Sequence, residues 1–319
     1  MMLKNVILIT IDCLRPDHLN CYGYKRITSP FISSLARTGW IFTNFFANSS
    51  YTCASIASMI TSTYPFDYGE YLEFSTPARL SKKRLLLSEV LKKYGYSTAF
   101  FHDNPYLSPI FGYNRGFDVC IDFGRKVLSS IRSKRRFLNL MFKNKKIQDL
   151  LWKIKDFVLL IDWFIRGKPI RTDAETILRE AYKWSRKASR PFFLWMHLMD
   201  THIPYSPKHE VLKQFGISKL RAAMILYKQI FRKNISKEEV RLVKLLYDSQ
   251  IYQIDQALAK YLPKMVNHDF EDTYIIITAD HGEEFFENGR IGHSGVLTDT
   301  LLRVPLIICG GLKRIVLHS

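Results

Sequence analysis

A chain of 319 residues with 47% hydrophobic and 14% aromatic content holds enough apolar material for a large folded domain, which excludes global disorder. Its formal net charge of +18 bears on partners rather than on fold, and leaves anionic substrates, anionic membrane surfaces and nucleic acid to be weighed. The cysteines, Cys13, Cys21, Cys53, Cys120 and Cys309, are too few and scattered for a disulfide framework and form no Cys-x-x-Cys pair, so they read as buried free thiols.

Asn5–Ile11 is β-branched and apolar on both faces, which predicts a central parallel strand ending at Asp12. This first apolar run is short and leads straight into an acid, unlike a secretory signal, so the chain reads as cytoplasmic. Ser29-Pro30 opens a helix over 31–36. Residues 40–46 read as a strand, 55–61 as a helix opening just after Thr52, 80–94 as a basic amphipathic helix and 97–101 as a strand. Residues 125–171 differ in character, with fourteen Lys and Arg against three Asp, a net +11. Apolar residues recur there at helical spacing (Ile147, Leu150, Leu151, Ile154, Phe157, Val158, Ile161, Phe164, Ile165), which predicts an amphipathic helix. Asp162 interrupts the run 157–165, which is too short to span a bilayer. A helix over 172–188, a strand over 192–196 and a mostly helical stretch over 208–262 come next. Thr273–Thr278 is a second buried strand, leading to Asp280, and 304–308 a third. Strands alternating with helices predict a single α/β domain over 1–319, its mostly parallel sheet covered by helices on both faces.

Two of these strands lead into acids: Ile11-Asp12, and Thr278-Ala279-Asp280-His281-Gly282-Glu283. Polar residues at the carboxyl ends of parallel strands lie where open α/β sheets bind ligands. Oxygen ligands with one imidazole nitrogen suit a divalent ion, Mg²⁺, Mn²⁺, Ca²⁺ or Zn²⁺. A strand-end Asp serves equally well as a helix cap or solvated loop residue. A polar run directly after a six-residue apolar strand is harder to explain by packing.

The stretch from Asn5 through Asp12-Cys13-Leu14-Arg15-Pro16-Asp17-His18, followed by Cys21-Tyr22-Gly23-Tyr24, resembles the first metal-binding strand of the sulfatase family within the alkaline-phosphatase-like superfamily. Asp280-His281-Gly282-Glu283, Gly292-His293 and Arg303-Val304-Pro305 are similar to the second metal segment. Pro191-Phe192-Phe193-Leu194 with His197 and His202-Ile203-Pro204-Tyr205 is similar to the central strand and the substrate-facing histidine. The resemblance runs in order over most of the chain. It implies an alkaline-phosphatase-like fold and metal-dependent hydrolysis or transfer of an anionic sulfate or phosphate ester.

Sulfatases of this family carry a Cys or Ser, oxidised to formylglycine, in a Cys-x-Pro-x-Arg context. Here Cys53 is followed by Ala54-Ser55-Ile56-Ala57, with neither Pro nor Arg in place. Counting back from Met59-Ile60-Thr61-Ser62 puts Thr52 at the nucleophile position, as in the phosphodiesterase and phosphoglycerol-transferase branches. Thr52 is preferred to Cys53, and phosphoester chemistry to sulfuric ester hydrolysis. The resemblance implies Asp12, Thr52, Asp280 and His281 as metal ligands and His202 as a contact to the anionic oxygens or proton donor to the leaving group. His293 is a metal ligand or substrate contact, and His197 a substrate contact or strand-end core residue. Arg15 binds the anion or forms a surface salt bridge. His18 reads as local structure.

The sequence departs from the family where Cys13 replaces the second aspartate of many arylsulfatases, and it ends soon after the last strand, without the usual C-terminal segment. The 125–171 insert docks on an anionic membrane surface or packs as a lid. No nucleic-acid module is present, and no nucleic-acid partner is expected. The rival reading is a non-catalytic anion- or membrane-binding protein on a decayed enzyme fold.

Overall fold

The computed structural model describes residues 3–65, 79–124, 145–231, 233–267, 270–293 and 295–311; the side chains of 145–153 are not described. Residues 125–144 of the basic insert, the side chains of Ile147, Leu150 and Leu151, and His268 and His318 therefore lie outside the described residues.

The elements run β1 (Asn5–Ile11), α1 (Pro30–Ala36), β2 (Trp40–Phe42), α2 (Thr52–Thr61), α3 (Leu87–Lys93), β3 (Ser97–His102), β4 (Val119–Asp122), α4 (Lys145–Arg166), α5 (Ala174–Ser185), β5 (Phe192–Leu198), α6 (His209–Gln214), α7 (Lys219–Ile230), α8 (Val240–Met265), β6 (Thr273–Thr278), β7 (Glu284–Phe285), β8 (Ile291–Gly292), α9 (Asp299–Leu302) and β9 (Leu306–Cys309). The main sheet has seven strands in the order β2-β9-β6-β1-β5-β3-β4. β6, β1, β5, β3 and β4 pair in parallel, while β9 is antiparallel to β6 and to β2. This is the mostly parallel α/β sheet expected, closed on one side by an antiparallel strand.

β1 lies between β5 and β6, so both of its faces are covered, and its alternation divides the core. Ile7, Ile9 and Ile11 pack with Ala181, Leu246 and Leu258 of α5 and α8. Leu8 points the other way, into a second cluster with Ile56 and Ile60 of α2, Phe100 and Trp195. Phe100 and Trp195 stack with centroids 3.9 Å apart. Helices on both faces thus fix the sheet, and every parallel strand delivers its carboxyl end to the same edge.

Several boundaries differ from the sequence reading, three of them for a reason visible in the structure. Over 80–94 only Leu87–Lys93 is helical. The preceding residues are held by longer-range bonds: Leu80 N–H donates to Phe111 O (2.8 Å) and Arg115 donates to Ser81 O (2.8 Å). The 40–46 strand stops at Phe42, where pairing with the four-residue β9 runs out, and Phe46 forms only an isolated bridge to Arg303. The last strand begins at Leu306, because Pro305 has no N–H to give the ladder. β4 and the β7–β8 hairpin have no counterpart in the sequence reading.

α4 docks through few residues. Leu160 and Trp163 are buried, and the Trp163 indole donates to Pro207 O (2.9 Å). Ile154, Phe157, Val158, Ile161, Phe164 and Ile165 remain exposed. No described helix is long and apolar enough to cross a membrane.

Candidate metal and ester site

Asp12 follows β1, Asp280 and His281 follow β6 with Ala279 between, His197 and His202 lie at the end of and just past β5, and Asn104 follows β3. Thr52 is the first residue of α2, whose amino end is brought to the same edge. Asp12, Thr52, His197, Asp280 and His281 are all buried. Ligand atoms of Asp12, Asp280 and His281 lie within 4.8 Å of one another, and Thr52 Oγ1 stands 3.2 Å from His281 Nε2.

Hydrogen bonds aim each group. His281 Nδ1 lies 2.9 Å from Gly282 O, an acceptor, so Nδ1 carries the proton and Nε2 turns its lone pair inward. Asp280 Oδ1 accepts from the amides of Cys13 (3.2 Å) and His281 (3.0 Å). Its Oδ2 is buried with no hydrogen-bond partner and lies 3.5 Å from His281 Nε2. Asp12 Oδ2 accepts from Asn104 Nδ2 (3.2 Å) and meets His197 Nε2 (3.3 Å). A relay orients His197: Trp195 Nε1 donates to Thr10 Oγ1 (2.9 Å), and the Thr10 hydroxyl meets His197 Nδ1 at 2.8 Å. The hydroxyl then donates to Nδ1 and Nε2 carries the proton, so His197 positions Asp12 and does not open onto substrate.

His293 Nδ1 sits 3.1 Å from Glu283 Oε1 and 3.5 Å from Cys13 Sγ, with its ring 4.3 Å from that of His281 and 5.1 Å from that of His202. His202 Nδ1 lies 3.2 Å from the Arg171 guanidinium. His202 also borders a cavity of about 920 Å³ lined by Asp103, Leu159, Arg171, Ile203 and Gln229 among others.

Arg15 stands elsewhere. Its guanidinium is buried and taken up by Asp17 (2.7 Å), Glu287 (2.9 Å) and Glu283 O (2.9 Å), so of the two expectations the geometry follows the ion pair rather than anion binding. His18 pairs with Asp248 at 2.6 Å, a structural contact. Sequence reasoning missed Asn104, Arg171, Glu283 as a partner of His293, and Cys13 as a neighbour of the metal group. Asn104 was findable, since His102-Asp103-Asn104 is another polar run ending an apolar strand.

The electrostatics follow from burial and charge together. Burial pushes the Asp12 carboxyl up, but the His197 hydrogen bond and the neighbouring imidazoles hold it well below the usual range. Burial pulls His293 down and Glu283 more than offsets it, leaving the imidazole at about 9. Burial and the nearby Arg171 charge put His202 at about 3. Burial pushes the Cys53 thiol up to about 12, which keeps it protonated at neutral pH.

These donors fit a divalent cation. Two buried carboxylates facing each other with one oxygen unpartnered, beside an inward imidazole lone pair, need a positive charge among them.

A family model described as Sulfatase matches residues 4–312. The chain belongs to the sulfatase family. Arylsulfatase K from Canis lupus familiaris is 23% identical to this sulfatase-family chain over 345 residues, covering 97% of the chain and 59% of that relative. The chain therefore spans about three-fifths of the length of such relatives. Among solved structures, the phosphonate monoester hydrolase of Agrobacterium radiobacter superimposes with a TM-score of 0.69 at 18% identity, covering 96% of this chain and 68% of that one. The C-terminal periplasmic domain of EcEptC from Escherichia coli, in complex with Zn, gives 0.64 at 15% identity, covering 97% and 73%. The fold is shared with these structures and with a Vibrio parahaemolyticus protein described as belonging to the alkaline phosphatase superfamily, which superimposes with a TM-score of 0.59 at 16% identity, covering 97% of this chain and 60% of that one.

Just past β5, Asp200 makes a separate prediction. Its Oδ1 accepts from Ala174 N–H and Gln253 Nε2 (both 3.2 Å), but Oδ2 is buried without a partner. Burial, then the Asp173 charge, raises this carboxyl from 3.8 to about 7. The folded protein thus binds the proton more tightly than the unfolded chain, and its stability falls as pH rises from 3.8 to about 7. Asp200→Asn removes the charge. Its stabilising effect should grow by roughly 2–3 kcal/mol between pH 5 and pH 8. Urea unfolding at both pH values measures this, and a pH-independent difference would contradict it.

Proposed function

We propose that the chain is a metal-dependent hydrolase or transferase of phosphate esters with Thr52 as nucleophile. The observation that carries this reading is the Thr52 hydroxyl, at the start of a ten-residue helix, 3.2 Å from His281 Nε2 within the Asp12–Asp280–His281 group. Asp12, Asp280 and His281 would hold the ion with Thr52 beside them, and a divalent ion held there would supply charge to lower the hydroxyl pKa and neutralise an ester oxygen. First-turn amides of α2 point at the same place and favour an anion there. Thr52 Oγ1 bonds to phosphorus as the bond to the leaving oxygen breaks, and the hydroxyl proton ends on the leaving alcohol. Water or an acceptor alcohol then bonds to phosphorus as the bond to Thr52 Oγ1 breaks, and its proton restores the Thr52 hydroxyl. His202 faces the leaving group, because it borders the large cavity as well as His293.

Sulfate is the second reading, favoured by the sulfatase names of the curated relatives. Against it stand the plain threonine and the missing Cys-x-Pro-x-Arg context, since no formylglycine route is available to release a sulfated threonine. Nitrophenyl phosphate, phosphodiester and sulfate substrates, assayed with each divalent metal, separate the readings. Metal-dependent phosphoester turnover is expected. Faster sulfate turnover with every metal would overturn the phosphoester preference, and no turnover of any ester would favour the non-catalytic binder.

The partner of the insert is proposed to be an anionic membrane surface. Exposed Ile154 and Phe157 of α4 line one surface groove with Tyr227 of α7, and residues 125–171 carry fourteen Lys and Arg against three Asp. An exposed apolar helix face in a segment whose sequence is rich in cations suits the headgroup boundary of acidic lipids. Vesicles containing phosphatidylserine should bind the protein at low salt, more weakly as salt rises, and poorly after Phe157→Ser with Ile161→Ser. Equal binding to neutral vesicles, or no binding at any salt, would contradict this.

A further inference from the structure

Cys13 adjoins the metal group and has no part in the reaction just described. Its place is built by the surrounding structure. The backbone φ of 61° is left-handed, a conformation uncommon for a residue with a β-carbon. Buried hydrogen bonds fix it: Cys13 N–H donates to Asp280 Oδ1 (3.2 Å), and Cys13 O accepts from the Tyr247 hydroxyl (2.7 Å). That turn brings Sγ to 2.9 Å from Asp12 Oδ1 and 3.5 Å from His293 Nδ1.

Ligand atoms of Cys13, His281 and His293 all lie within 4.8 Å of one another, as do those of Asp12, Asp280 and His281. The two triads share His281, which has a single inward lone pair because Nδ1 donates to Gly282 O. One lone pair serves one ion, so the triads cannot be filled independently, and Cys13 Sγ stands directly beside Asp12 Oδ1. A second, independent observation points to a ligand there: the buried, unpartnered Asp280 Oδ2 beside His281 Nε2.

We propose that Cys13 is a thiolate ligand of the ion held by Asp12, Asp280 and His281, and that its sulfur makes the centre select zinc over magnesium, calcium and manganese. Oxygen-rich sites suit the hard cations, whereas a thiolate with an imidazole and carboxylates suits zinc. The S–H bond breaks as the sulfur–metal bond forms, and the proton goes to solvent, so binding weakens as pH falls. Aspartate at position 13 would offer oxygen in place of sulfur and move the preference toward calcium and magnesium. The proposal rests on the metal-dependent reading above, but its test needs no turnover.

The probe is Co²⁺ added to the metal-stripped full chain, followed by zinc competition. Wild-type protein should show a near-ultraviolet thiolate-to-cobalt charge-transfer band that zinc removes. Cys13→Ser should lose the band and bind zinc about a hundredfold more weakly. Cys13→Asp should lose the band and bind calcium and magnesium better relative to zinc. The wild-type cobalt band tests the ligand by itself, whether or not the variants fold. A wild-type cobalt complex without the band, or an undiminished band in Cys13→Ser, would overturn the proposal. A wild-type cobalt complex that lacks the band while phosphoester turnover is intact sinks the thiolate ligand alone. An intact band without turnover of any ester sinks the reaction alone.

Discussion

Thr52→Ala is expected to lower phosphoester turnover by roughly ten-thousandfold or more, the scale seen when a covalent nucleophile is removed. The loss should fall on kcat, because the charges that bind the anion remain in place. The substitution should leave the fold intact. α2 begins without a side-chain cap from Tyr51, and the Thr52 hydroxyl bonds to His281 at the site rather than to the helix. Thr52→Ser supplies an oxygen at the same place and should retain activity within about a hundredfold, a rescue that a purely structural threonine would not show. Cys53→Ala should stay near wild type. The Cys53 thiol is held protonated by burial, with a pKa of about 12. Full activity in Thr52→Ala with loss in Cys53→Ala would reverse the assignment.

The second large effect concerns the carboxylates. Asp280→Asn is expected to weaken metal binding by at least about a hundredfold, since even groups that only orient a metal ligand typically contribute 10- to 100-fold. Turnover should fall in parallel. A physical signature separates this from general damage. Asp12 and Asp280 place carboxylate oxygens within 4.8 Å of each other in a buried site, so without metal their like charges oppose folding. Neutralising one should raise the melting temperature of the metal-stripped protein while removing most of the stabilisation that added metal gives the wild type. Calorimetry with and without metal reads both. A variant that melts lower than wild type in the stripped state and still gains stability from metal would contradict the ligand assignment.

The parts of this site legible in the sequence share one property: each follows an element whose pattern is unambiguous. β1 and β6 are buried on both faces, their apolar runs are continuous, and their bounds match the reading at Asn5–Ile11 and Thr273–Thr278. Asp12, Asp280 and His281 therefore fall at the sheet edge on the strength of the strand pattern alone. Thr52 is located by its spacing to Met59-Ile60-Thr61-Ser62, and it opens the helix.

What escaped depends on contacts between distant residues. Asn104 reaches Asp12 across 92 positions, and its amide is oriented because Oδ1 accepts from Tyr106 N–H (2.9 Å). Nothing local in the sequence records that pairing. Arg15 was open to two readings for the same reason: its two acidic partners lie 2 and 272 residues away. Residues 80–86 carry a helical pattern, yet Phe111 and Arg115 capture that backbone as a loop, an override of local propensity by tertiary contacts. The β7–β8 hairpin has two-residue strands, too short to leave a periodic signal. Its value is positional, since it follows Glu283 and leads to His293, whose side chains meet at 3.1 Å.

The most direct measurement is acid quenching during turnover of a phosphodiester with metal present, followed by mass spectrometry of the peptide containing Thr52 and Cys53. The account predicts one added phosphoryl group on Thr52, absent from Thr52→Ala and from metal-stripped protein. A phosphorylated or otherwise modified Cys53, or steady turnover in which the Thr52 peptide never gains mass under any quench, would contradict it.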